Sequence, residues 1–188
     1  TIGPCILNKD DEHYLEVSKH CKKIYTYGKN KDNDLYFKDV RLFENKTLFK
    51  IIYQNQEYEI ESPLIAMFNV YNLCAALLAL VNLGYNMNDL IKNLYKIKVS
   101  GRLENIDLGQ DFKVIVDYAH TPNGISKLLE FMNSLEHDRL IVVFSEPGER
   151  DRSKRPSKGY NVITNCDYAI VTSQDPRGEN PIDIANDL

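Results

Sequence analysis

No apolar run in this 188-residue sequence approaches the roughly 18 to 20 residues that a helix needs to cross a bilayer, so no membrane partner is expected. No two of its four cysteines (Cys5, Cys21, Cys74 and Cys166) form a C-x-x-C unit, which leaves zinc knuckles and dithiol redox sites without ligands. Small core roles for Cys74 and Cys166, semi-exposed thiols at the other two and a reducing cytoplasmic home are the simplest reading. Positive charge is not in excess either. The net charge of -4 gives no electrostatic reason to expect nucleic acid. The sequence also lacks a G-x-x-x-x-G-K-[ST] phosphate loop, a G-x-S-x-G elbow and an H-E-x-x-H pair, so hydrolase and zinc-protease readings have no support. Thr1 is not an initiator Met, no basic-then-apolar leader follows it, and Asp187-Leu188 ends the chain in mid-pattern. An excised piece of a longer protein is expected.

What is present is an ordinary globular composition, 43% hydrophobic, with room for one generous domain or two small ones. Residues 5–60 read as short strands with polar turns, and residues 46–52 and 58–60 flank Gln54-Asn55-Gln56 as a hairpin. Pro63 breaks that pattern. An apolar helix is expected over residues 69–83, stopped by Gly84 in a C-cap-like position. A shorter helix starts near Asn88-Asp89, with Asn88 as its candidate N-cap. Beyond Ser100-Gly101 the rhythm becomes strand, loop, helix, three times over. The strands fall at residues 113–117, 140–144 and 168–172, and the helices at 123–135, at 157–164 and from Pro181. This alternation predicts an α/β unit with a parallel sheet and a boundary near residue 100, dividing 1–99 from 100–188. In such sheets, ligands bind at loops leaving the carboxyl ends of the strands.

A polar cluster follows each of the three strands. In Asp117-Tyr118-Ala119-His120-Thr121-Pro122, a carboxylate ending an apolar strand can accept hydrogen bonds from sugar hydroxyls, and His120 can donate to a phosphate. Equally, Asp117 can cap a turn and His120 can be an exposed loop residue. Residues 148–158 carry five basic and two acidic side chains, a concentration of cations suited to gripping carboxylate or phosphate, unless it is simply a solvated loop. In Ser173-Gln174-Asp175-Pro176-Arg177, a carboxylate and a guanidinium beside a rigid proline could hold both ends of an amino-acid zwitterion, although D-P-R is common in turns. Asn69 and Asn72 share one helix face. Asn is a poor helix-interior residue, so either Asn69 caps the helix or an amide reads the edge of a base. Arg102 lies at the expected boundary, where it could bind a ligand held between domains or form a salt bridge near Glu104.

Taken in order, six motifs resemble the Mur ligase family, of the MurE type. They are Leu7-Asn8-Lys9-Asp10-Asp11, Phe68-Asn69-Val70-Tyr71-Asn72 with Ala75-Ala76, Gly101-Arg102-Leu103-Glu104, residues 116–122 (VDYAHTP), Gly148-Glu149-Arg150-Asp151 with Lys154-Arg155-Pro156, and Asp175-Pro176-Arg177. The resemblance implies the later part of a central ATPase domain over residues 1–99 and a truncated Rossmann-like C-terminal domain over 100–188. It implies a cytoplasmic, monomeric ligase of peptidoglycan precursor synthesis whose partners are a UDP-muramoyl dipeptide and a free amino acid. ATP would phosphorylate the D-glutamyl carboxylate, and the amine of meso-diaminopimelate or L-lysine would attack the acyl phosphate. Asn69 and Asn72 would line the adenine side of the ATP site, with Arg102, Asp117 and His120 also at the nucleotide. Arg150 and the segment Gln174, Asp175, Pro176 and Arg177 would bind the amino acid. No catalytic residue and no metal ligand is implied here. The phosphate loop, the carbamylated lysine and most ligands of Mg2+ would lie upstream of Thr1, so the chain alone is expected to be inert.

Two departures from the family pattern stand out. Ser145-Glu146-Pro147-Gly148 replaces a glycine-rich loop, and Gln174-Asp175-Pro176-Arg177 replaces the D-N-P-R associated with diaminopimelate. Arg177 still suits a side chain bearing a carboxylate, whereas the shifted Asp could favour a plain ammonium. Another ligase of the superfamily, of the cyanophycin- or folylpolyglutamate-synthetase kind, and a non-catalytic nucleotide- or amino-acid-binding homologue are the alternatives.

Overall fold

The computed structural model describes residues 3–188, which fall into two compact units, one running to Ile115 and the other spanning Val116–Leu188. Among the described residues no helix is long and apolar enough to cross a membrane.

The first unit is a five-stranded sheet in sequence order, made of β1 (Cys5–Asn8), β2 (Ile24–Gly28), β3 (Leu35–Leu42), β4 (Thr47–Tyr53) and β5 (Gln56–Ser62). β1, β2 and β3 run parallel; β3, β4 and β5 form an antiparallel meander. In β4, Thr47, Phe49 and Ile51 are buried, the period-two pattern of a strand with one face on a core. That core is completed by helix α2 (Met67–Asn82), whose Val70, Leu73, Cys74, Leu77 and Leu78 pack with Leu35, Phe37, Phe49, Ile51 and Ile60. Burying each large side chain here contributes about 1.5–3 kcal/mol. Gly84 ends the helix at φ +96, with its N–H on Val81 O (3.0 Å) and the Tyr85 N–H on Leu80 O (3.2 Å). This is a Schellman stop that needs a residue tolerant of the left-handed region.

Three details differ from expectation. Helix α1 (Tyr14–Ser18) interrupts the strand-rich region, and because it buries no residue it leaves no apolar stripe to read. The β4–β5 turn uses only Gln54 and Asn55, at φ 50 and 62, the two-residue geometry that matches strand twist, so Gln56 already belongs to β5. Helix α3 (Met87–Lys92) is capped by Asn86 rather than Asn88; the Asn86 side chain accepts from the N–H groups of Asn88 and Asp89.

Strands β6 (Glu104–Ile106) and β7 (Val114–Val116) pair with each other, so the expected three-strand sheet resolves into this pair and a parallel pair in the second unit, β8 (Ile141–Phe144) with β9 (Tyr168–Val171). Val142, Phe144 and Ala169 pack on Ile125 and Leu129 of α4 (Pro122–Asn133) and Val162 of α5 (Arg155–Ile163). Ile141, Val143, Tyr168 and Ile170, in register on the opposite face, are exposed. Thr121 caps α4 by accepting the Gly124 N–H (3.1 Å). Helix α5 starts at Arg155, two residues before the expected start, because Pro156 fits the first turn, where its missing N–H loses nothing. Helix α6 (Pro181–Asp187) follows the cap Asn180. Cys74 is fully buried, whereas Cys166 only borders the second core.

Candidate functional site

In the first unit the two amides at the start of α2 touch. Asn69 is buried; its Nδ2 donates to Ile65 O (2.7 Å) and its Oδ1 accepts from Asn72 Nδ2 (3.2 Å). Asn69 is therefore not the cap. That place is taken by the buried Ala66 at φ 75 and ψ 153, a conformation worth about 1–3 kcal/mol of strain outside glycine. Asn69 acts as a bracket, and the exposed Asn72 spends one N–H of its amide on that bond.

Between them, Tyr71 donates its hydroxyl to Asp10 Oδ2 (2.9 Å), an oxygen that also accepts the Lys29 N–H (2.8 Å). Burial, and then the bond to Asp10, push the Tyr71 phenol well above its usual range. This brace spans 61 residues of sequence, which is why motif spacing gave Asp10 and Tyr71 no role.

The other expected nucleotide residues lie on turns. Arg102 is exposed beside Leu103, which sits at φ 46. Glu104 accepts the Gly101 N–H (2.8 Å) and pairs with Lys98 (3.3 Å), and these two contacts hold its carboxyl below the usual range. Asp117 Oδ1 accepts the Ala119 N–H (2.7 Å), and the exposed His120 has Nδ1 3.1 Å from Tyr118 O with the two rings 5.2 Å apart. Both residues thus shape the turn that leads into α4.

In the second unit the loops leaving β8 and β9 are interlocked. Gly148 donates its N–H to Asp175 O (3.1 Å), and Ser145 Oγ donates to Gln174 Oε1 (3.0 Å). A Cβ on Gly148 would lie 1.9 Å from Pro176 O, so only glycine permits this approach. All three non-glycine residues with positive φ in this unit belong to these loops: Glu149 (54°), Asp175 (42°) and Arg177 (52°).

The basic run does not behave as a block. Arg155 is fully buried and pairs with Glu179 (2.9 Å) and Asp187 (2.8 Å). Arg152 also binds Glu179, Lys154 pairs with Asp151 (3.2 Å), and the buried Lys158 donates to Ser145 O (2.7 Å) and to the Glu146 carboxylate. Arg155, followed by the Glu149 N–H, holds the Glu179 carboxyl down at about 2. Arg150 alone in the run is exposed with no hydrogen bond or ion pair among the described residues. Arg177 has one, to Asp175 of its own turn (3.2 Å). The expectation of a cluster of gripping cations narrows to these two.

Residues 2–80 match the family description "Mur ligase middle domain" and residues 101–188 match "Mur ligase, glutamate ligase domain". The chain belongs to the Mur ligase family. This Mur ligase chain is 35% identical over 180 residues to a UDP-N-acetylmuramoyl-L-alanyl-D-glutamate–2,6-diaminopimelate ligase of Caldanaerobacter subterraneus subsp. tengcongensis, covering 95% of the chain and 37% of the relative. It is 34% identical to a UDP-N-acetylmuramyl-tripeptide synthetase of Borrelia garinii subsp. bavariensis, covering 97% and 37%. It therefore spans little more than a third of the length of the relatives it matches. A solved diaminopimelate ligase superposes with a TM-score of 0.60 at 31% identity, covering 98% of this chain and 39% of that one. The MurF ligase of Thermotoga maritima in complex with ADP superposes at 0.72 with 18% identity (93% of this chain, 41% of that one), a likeness of fold alone.

Among the described residues no group of three His, Cys, Asp or Glu side chains suits a metal ion. A Mg2+ site built wholly from them does not fit.

Proposed function

We propose that this chain contributes the adenine-facing amides and the amino-acid site of a cytoplasmic, monomeric ligase that joins an amino acid to UDP-N-acetylmuramoyl-L-alanyl-D-glutamate, with Mg-ATP as the energy source, in peptidoglycan precursor synthesis. The single observation carrying this reading is the interlocked pair of loops after β8 and β9, on which Arg150 stands without a partner among the described residues in a run where every other cation is neutralised. A free guanidinium on one loop, with Arg177 on the loop bonded to it, suits the carboxylate of an incoming amino acid, because the planar fork binds it bidentately. Asn72, braced by Asn69, presents an amide edge that suits adenine; Arg102, Asp117 and His120 are the further nucleotide contacts in this proposal. Gln174, Asp175, Pro176 and Arg177 complete the amino-acid side. Holding the amine in line with the acyl phosphate is an effect of orientation, which alone supplies large rate factors. Residues 1–99 and 100–188 would belong to the family's central and C-terminal domains.

The test is ligation by the intact enzyme that carries this chain, with meso-diaminopimelate and L-lysine offered side by side. ADP release should require the UDP-dipeptide and one of the two amino acids; no turnover with either sinks the proposal. Arg177→Ala should lower kcat/KM for diaminopimelate by roughly tenfold more than for lysine, the loss expected for one charge-assisted pair. Equal loss with both would mean that Arg177 does not read the side chain.

A further inference from the structure

We propose that Glu149 is a positioning residue of the amino-acid site, the closing half of a reciprocal clasp that fixes Arg150 and Arg177 relative to one another. The inference rests on the amino-acid reading of these loops given above. Its observation is a pair of crossed hydrogen bonds. The Glu149 N–H donates to the Glu179 carboxylate, and the Gly178 N–H donates to Glu149 Oε1 (3.3 Å). Each glutamate thus accepts a backbone N–H from the other's loop. Arg150 directly follows one end of the clasp, and Arg177 directly precedes the other.

Glu149 and Glu179 differ in what else they hold. Glu179 is tied to Arg152 and to the buried Arg155, so it is part of the frame of the unit. Glu149 is exposed, sits at φ +54 and has no ion pair among the described residues. Its side chain makes one hydrogen bond, and that bond crosses to the β9 loop. A strained, exposed residue whose only side-chain bond bridges two binding loops is organised for the site rather than for the core. The contact is close from the Gly178 side as well. A Cβ there would lie 2.7 Å from Glu149 Oε1, so a methyl group would evict the carboxylate while residue 149 remains a glutamate.

The experiment is a titration of the 15N-labelled intact enzyme that carries this chain with meso-diaminopimelate and with L-lysine, following the Nε–H signals of Arg150 and Arg177 and the Gly178 amide. Thermal midpoints are recorded for each variant. In the wild type, Arg150 and Arg177 should shift together and saturably. Glu149→Ala and Gly178→Ala should each weaken binding about tenfold, the scale of a lost orientation, with the melting midpoint unchanged. Glu149→Gln keeps an acceptor oxygen and should bind within about twofold of wild type, which separates acceptance of a hydrogen bond from negative charge. Wild-type affinity in Glu149→Ala, beside weakened binding in an Arg150→Ala control, overturns the positioning role and leaves the site reading standing. If neither amino acid moves Arg150 or Arg177 in the wild type, the site reading fails, and the positioning role fails with it. A loss in Glu149→Gln as large as in Glu149→Ala also overturns it.

Discussion

Replacing Arg155 by Met is the perturbation that should damage the second unit most. Methionine keeps much of the length of the arginine and removes only the guanidinium. Arg155 has 0% exposure, and its charge is matched by Glu179, whose side chain is 11% exposed, and by Asp187, at 43%. Removing one partner of a buried pair commonly costs 3–5 kcal/mol, and the lower end, about 3, is expected here because Asp187 can turn to water. For a unit of this size each kcal/mol moves the midpoint by about 4–8 °C, so the transition of the second unit should fall by roughly 12–24 °C at pH 7.

The pH dependence has a definite sign. Glu179 is held at about 2 in the fold against an ordinary 4.5, so its stabilisation is complete above the ordinary value and is lost as the pH falls toward the folded one. The gap between wild type and Arg155→Met should therefore narrow between those two values. Calorimetry of both proteins across that range is the assay. A gap under about 4 °C at pH 7, less than 1 kcal/mol, would refute the claim that this buried pair holds the unit together.

Two further outcomes follow from packing. Gly148→Ala should disrupt the β8–β9 loop contact, because backbone, and not a flexible side-chain tip, stands where the Cβ must go. A loss of about 1–3 kcal/mol in denaturant melts, together with weakened amino-acid binding, is expected; unchanged stability would mean that the loops part easily. Burial pushes the Cys74 thiol up to about 12, so it should resist a thiol reagent at pH 8 until the protein is unfolded. Labelling of Cys74 in the native state would show that the core of α2 opens.

The elements readable in the sequence are those with a strong local signal: the apolar face of α2 with its Gly84 stop, the strands β8 and β9, and the proline-marked start of α6. The hairpin β4–β5 was legible apart from its exact turn. Helix α1 was not, since nothing in Tyr14–Ser18 is buried. Spacing alone does not separate the Asn86 cap from Asn88 two residues on, since both are asparagines at the start of the same helix. Of the site, the residues were legible and their relations were not. Arg150, Arg152 and Arg155 look alike in a sequence. What separates them is Glu179 and Asp187, 24 or more residues downstream and brought in only by the fold. The same holds for Asp10 under Tyr71.

The division among those arginines bears on any attempt to redesign substrate choice. A combinatorial library that varies Arg150, Asp175 and Arg177 samples side chains whose bonds, where they have any, stay within one turn. One that also varied Gly148, Arg155, Lys158 or Glu179 would fill with destabilised members, and a Lys at 155 would fare no better, since an ammonium cannot reproduce the forked pairing.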